Sequence, residues 1–153
     1  MKKYAFFLLI ALGALSFSHP TAFKYYASFK GSKQGLLKAE STKGGRESQG
    51  WIEISSFSFG ASNPTPTSGK GGATGKETQP PITITKKSDA FSPLLLNAHL
   101  ANEPFETIII QTLDDQNKEI KRITLTNALI SQIKKSGPIE AVTVTFNQKI
   151  NKP

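Results

Sequence analysis

From Phe23 to Lys30 the chain alternates, with Phe23, Tyr25, Ala27 and Phe29 on one parity and Lys24, Tyr26, Ser28 and Lys30 on the other. A period of two marks a strand with one buried face, so a strand is predicted over Phe23–Lys30. Gly31 to Gln49 is mostly Lys, Gly, Ser and Glu, with Leu36 and Leu37 as an isolated apolar pair, and reads as a solvated loop. The next strand begins at Trp51. There Ile52 and Ile54 share one parity while Phe57 and Phe59 share the other, and a bulge near Ser55 or Ser56 reconciles them. Asn63 to Pro81 is Pro, Thr, Gly, Ser and Lys without a large aliphatic side chain, which predicts a long mobile loop.

Ile82 and Ile84 alternate with Thr83 and Thr85 as a short strand. Ser92-Pro93 then supplies an N-cap and a proline at the first helical position, ahead of a helix over Leu94–Ala101 closed by Pro104. Its leucines and alanines cover most of the circumference, so it is expected to plug into the sheets instead of lying on the surface. Phe105–Leu113, the turn formers Asp114-Asp115-Gln116-Asn117 and Ile120–Ile133 predict a hairpin. After Gly137-Pro138, Val142, Val144, Phe146 and Ile150 hold one parity, as in a single last strand. Some six short strands with one helix predict a mainly β fold, a two-sheet β-barrel or sandwich carrying one short α-helix.

Lys2 and Lys3 precede an apolar run from Tyr4 to Leu15 and then Ser16-Phe17-Ser18, the pattern of a secretory signal peptide over residues 1–18. The run is shorter than the ~20 apolar residues of a membrane span, so no membrane association is expected after cleavage. Residues 19–153 then form a single domain containing the flexible loop 61–81. Removing Lys2 and Lys3 takes the basic residues from 19 to 17 against 11 acids, a net charge of +6. With no cysteine in the chain, disulfides, thiolate metal sites and a thiol nucleophile are all excluded.

Candidate chemistry is sparse. The stretch Gly69-Lys70-Gly71-Gly72-Ala73-Thr74-Gly75-Lys76-Glu77 fails as a phosphate loop, because Lys70 stands where the first glycine belongs and Glu77 where the magnesium-binding hydroxyl belongs. His19 falls at the new N-terminus and His99 inside the helix, too few imidazoles for a zinc site, and His99 reads as structural. Asp114-Asp115 reads as solvated turn chemistry. Lys86-Lys87, Lys121-Arg122 and Lys134-Lys135 lack interleaved aromatics and read as a solvated basic surface, so no nucleic-acid partner is called. Trp51, Phe57 and Phe59 read as core or barrel-mouth packing. No catalytic, cofactor-binding or metal-ligating residue is assigned.

One ordered set of segments remains: Lys38-Ala39-Glu40-Ser41-Thr42, Gly50 to Gly60, Ile84-Thr85-Lys86-Lys87-Ser88-Asp89, Ser92-Pro93 and Ile123 to Ile130. In order and spacing they resemble the Hcp (haemolysin-coregulated protein) family, the tube subunit of type VI secretion systems. The resemblance implies a two-sheet barrel with a flanking helix that assembles into hexameric rings stacked as a tube. It also implies effector proteins or other secretion components as partners, release of subunits to the medium, and no catalysis or cofactor. The long loop, here Ala61 to Pro81, is implied as a contact with a neighbouring subunit. The signal pattern keeps a second reading open, an exported monomeric binding module with the same fold and no tube.

Overall fold

A computed structural model describes residues 22–39, 45–60 and 79–153. The signal pattern, His19, the glycine-rich stretch and nearly all of the expected mobile loop lie outside the described residues.

Alternating residues form β1 (Lys24–Gly31), which buries Ala27 and Phe29 and turns into the two-residue β2 (Gly35–Leu36). A 3-10 turn, Glu47–Gln49, leads into β3 (Trp51–Ile54), and β4 (Ser56–Phe59) follows after Ser55. Then come β5 (Ile82–Lys87), α1 (Ser92–Leu100), β6 (Phe105–Leu113), β7 (Glu119–Ser136), β8 (Ile139–Thr145) and β9 (Gln148–Lys152). All strand pairs are antiparallel.

In the first sheet β1 pairs with β2 and β3 on one side and β6 on the other, and β6 pairs with the first half of β7, to which β9 adds. In the second sheet β5 lies between β4 and β8, and β8 pairs with the second half of β7. Two corners join the sheets. At Ser55 the chain leaves β1 for β5, with its N–H on Thr85 O at 2.7 Å. This corner turns Ile52, Ile54, Phe57 and Phe59 toward the interior despite their opposed parities, as the bulge near Ser55 requires. The other corner is in β7, where β6 pairing ends at Ala128 and β8 pairing starts at Leu129. Asn127 there takes a left-handed φ of 49°, a region asparagine tolerates better than most residues. The strands therefore close as a barrel through β1, β6, β7, β8, β5 and the β4–β3 segment.

The interior is filled by isoleucines, valines and phenylalanines of both sheets, among them Ile52, Ile84, Ile108, Ile123, Val142 and the edge-to-face pair Phe29–Phe105 at 5.5 Å. Sheet burial from two inner faces is the source of the single core.

Four sequence expectations change. The described chain has nine strands instead of about six, because the Trp51 and Val142 runs each split and the short β2 forms within the expected loop. The last run breaks at Phe146-Asn147, so β9 passes to the first sheet and Ile150 faces solvent. The Gly31–Gln49 segment is not simply solvated: Leu37 and Ala39 are buried, and Leu37 N–H donates to Phe29 O at 2.9 Å. Gly50 closes that segment at φ 83°, where a Cβ would meet Leu37 O at 2.8 Å. Finally, α1 does not plug the barrel. It buries Leu95 and Ala98 and leaves Leu96 and Leu100 exposed, because a helix lying on a sheet edge covers only one stripe of its surface.

Candidate functional site

Two buried carboxylates fasten α1 at its ends. At the N-terminal end β5 delivers Lys86, 1% exposed, and β8 delivers Glu140. Lys86 Nζ donates to Lys87 O at 2.7 Å, Asp89 Oδ1 at 2.8 Å, Ser92 Oγ at 3.1 Å and Glu140 Oε2 at 3.3 Å. Glu140 also accepts from Ser92 Oγ at 2.6 Å and Ser88 Oγ at 3.0 Å. Asp89 caps the turn into the helix by accepting Phe91 N–H at 3.0 Å. Ser92 does not cap the helix: its hydroxyl accepts Asp89 N–H at 3.0 Å and gives its proton to Glu140. Burial pushes the Glu140 carboxyl up, but the hydrogen bonds of Ser92 and Ser88 and the charge of Lys86 outweigh it and hold it below the ordinary carboxylate range.

At the C-terminal end, Glu103 N–H returns to Ala98 O at 2.9 Å and its side chain enters the β1–β2 turn. Glu103 Oε1 accepts Lys33 and Gln34 N–H, each at 3.0 Å, and Oε2 accepts Gln34 Nε2 at 2.5 Å. The Gln34 backbone N–H and amide hold this carboxyl below its usual range against burial, with Lys33 assisting. Gly31 makes room: a Cβ there would stand 2.5 Å from Glu103 Oε1. Midway, His99 Nδ1 lies 2.9 Å from Ile130 O, so the helix covers the edge of β7 that β6 leaves unpaired.

On the outer face of the first sheet Arg46 lies 4.9 Å over the Tyr26 ring and donates to Gln111 Oε1 at 3.1 Å. Gln111 donates to Glu119, onto which Arg122 forks with two bonds of 2.7 Å. Arg122 lowers the Glu119 carboxyl and Glu119 raises the guanidinium in turn.

The expected solvated basic surface is corrected at Lys86, which is core; Lys87, Lys121, Lys134 and Lys135 are exposed. Trp51 is half-buried on the outer face of β3, because its strand neighbours Ile52 and Ile54 take the interior. Asp114 Oδ1 accepts Gln116 and Lys118 N–H at 3.0 and 2.8 Å, which is turn chemistry. Sequence reading missed the Lys86–Glu140 pair, whose signal was a lysine on the parity of Ile82 and Ile84 facing a glutamate in the alternation of β8.

Ser92, Lys86 and Glu140 resemble a nucleophile–base set only in composition. Every N–H of Lys86 is taken by an acceptor, and a glutamate held acidic is a weak base for a serine hydroxyl near neutral pH. Among the described residues no group of three or more His, Asp or Glu is placed to hold a metal ion, and no buried side-chain N or O lacks a partner. What remains open is a groove of 560 Å³ between α1 and β7, with Pro93, Leu96, Leu100 and Ile133 in its wall. A smaller hollow of 280 Å³ is bordered by Glu47, Glu53, Lys87 and Asp89.

A family model described as "Type VI secretion system effector, Hcp" matches residues 26–152. The chain belongs to the Hcp family. Solved Hcp structures share its fold: Hcp1 of E. coli EAEC 042 is 19% identical with a TM-score of 0.65, covering 86% of this chain and 97% of that one. The secreted protein Hcp3 of Pseudomonas aeruginosa is 21% identical with a TM-score of 0.63, over 86% and 97%. Hcp1 of Salmonella typhimurium is 14% identical with a TM-score of 0.61, over 85% and 92%. No curated protein matches the chain. In this chain the segment Ile84–Asp89 with Ser92 anchors the helix, a structural use of polar residues.

Proposed function

We propose that this Hcp-family chain is a structural subunit of a type VI secretion tube. Copies close into hexameric rings, the rings stack, and the tube carries effector proteins outward while subunits reach the medium. The family match over residues 26–152 carries this reading and favours it over the exported monomeric module. It is supported by a barrel in which buried Lys86, Glu140 and Glu103 are engaged in holding α1 in place. Negative-stain electron microscopy of the purified protein tests it: uniform hexameric rings are expected, and single particles alone contradict it. We further propose that Met1–Ser18 is a leader removed on export, leaving one domain from His19 to Pro153. Protein sequencing from the culture medium should then read His19 first, whereas a start at Met1 contradicts the leader.

A further inference from the structure

Residues 89–103 carry the chain from β5 to β6, two strands that pair with other strands and not with each other. Lifting this stretch from the surface therefore breaks no strand pairing. A backbone bond to the barrel closes it off on either side: Ser88 N–H donates to Pro138 O at 2.8 Å before it, and Ser32 N–H donates to Pro104 O at 3.0 Å after it. Between the two, its fully buried apolar side chains are Phe91, Leu95 and Ala98, a small share of the core. The polar hold is set at two carboxylates. Glu140, 5% exposed, belongs to the barrel and accepts from Ser92 of the stretch; Glu103, 3% exposed, belongs to the stretch and accepts the Lys33 and Gln34 N–H groups of the barrel's β1–β2 turn. Midway, His99 donates Nδ1–H to Ile130 O, a bond that its neutral and charged rings both make.

The charged groups about Glu140 are Lys86 of β5, Asp89 of the turn before α1 and Lys135 of β7; about Glu103 it is Lys33. Both carboxyls titrate below their ordinary value of 4.5, so each holds in full above that value and lets go as pH falls through its folded one. Protonation weakens the acceptor for Ser92 and Ser88 at one end and for Lys33 and Gln34 at the other, and it leaves Lys86 with Asp89 as its counter-ion. A segment with few buried apolar contacts and no share in the strand ladders opens at lower cost than the strands it covers. We propose that residues 89–103 form a strap that acid releases as a unit while the barrel stays closed. Release uncovers the edge of β7 beyond Ala128 and the inward side of α1, Leu95 and Ala98. The device belongs to a single copy and is independent of assembly.

Hydrogen exchange of the purified protein tests the strap, read by mass spectrometry at neutral pH and again well below 4.5, with rates corrected for the intrinsic effect of pH. Peptides covering residues 94–103 are expected to lose protection by about tenfold or more on acidification, the scale of a lost charge-assisted hydrogen bond, while those of β6, β7 and β8 keep theirs. Glu103→Gln should bring the same local loss at neutral pH. Gly31→Ala, whose Cβ would stand 2.5 Å from Glu103 Oε1, should act in the same direction with the carboxylate still present. Loss spread evenly over helix and strands, or no loss in the helix under acid or in Glu103→Gln, overturns the strap.

Discussion

The ammonium of Lys86 distributes three donors over four acceptors in a site closed to water, and each partner belongs to a different step of the chain: β5, the Asp89 turn, the start of α1 and β8. Removing one member of such a buried pair costs more than the pair contributes, because the other is left desolvated. Lys86→Met is therefore expected to destabilise the barrel by about 3–5 kcal/mol in urea unfolding. Lys86→Met with Glu140→Leu should recover most of that loss, and a double variant as unstable as the single one would contradict the account. The same site sets an acid limit. The Glu140 carboxyl is held below its ordinary value of 4.5, so its contribution is complete above that value and is lost as pH falls through the folded one. Melting temperature should drop on acidification through this range, and Glu140→Gln should flatten the drop; an unchanged profile counts against the assignment. The parity of Lys86 with Ile82 and Ile84 marks it as inward-facing, but its partners were not legible in the sequence, where Lys86-Lys87 looks like two surface lysines. Only the barrel's closure through β5 and β8 brings Glu140 to Lys86.

At the scale of elements, α1 shows what pattern reading recovers and where it stops. The expected range Leu94–Ala101, set by Ser92-Pro93 and Pro104, falls within two residues of the observed Ser92–Leu100 at each end, because proline chemistry acts locally. Which of its leucines is buried depends on the edge of β7 beneath it, which lies more than thirty residues away (His99 on Ile130). Leu95→Ala is expected to cost about 2–5 kcal/mol by leaving a cavity, whereas Leu96→Ala should stay within about 0.5 kcal/mol. Chemical denaturation of the two variants decides between this geometry and a helix buried all round, for which both would be costly. The strands were legible wherever one face is buried, as in β1, β5 and β8. The breaks at Ser55 and Phe146 were not legible as changes of sheet, since alternation along a strand says nothing about which neighbour it pairs with.

At the scale of the whole molecule, the two-sheet barrel with one helix follows from the alternation and from the ordered segments shared with the Hcp family, and the family model and solved structures agree with it. The function is legible only through that family. Among the described residues the buried side-chain polar groups all have partners, and the groove beside α1 lies open on the outer surface. The proposed function rests on assembly. Sedimentation velocity of the chain from His19 to Pro153, run across a wide range of concentration, tests this directly. The tube-subunit account predicts a discrete hexamer that grows at the expense of monomer as concentration rises; a strict monomer throughout would contradict it.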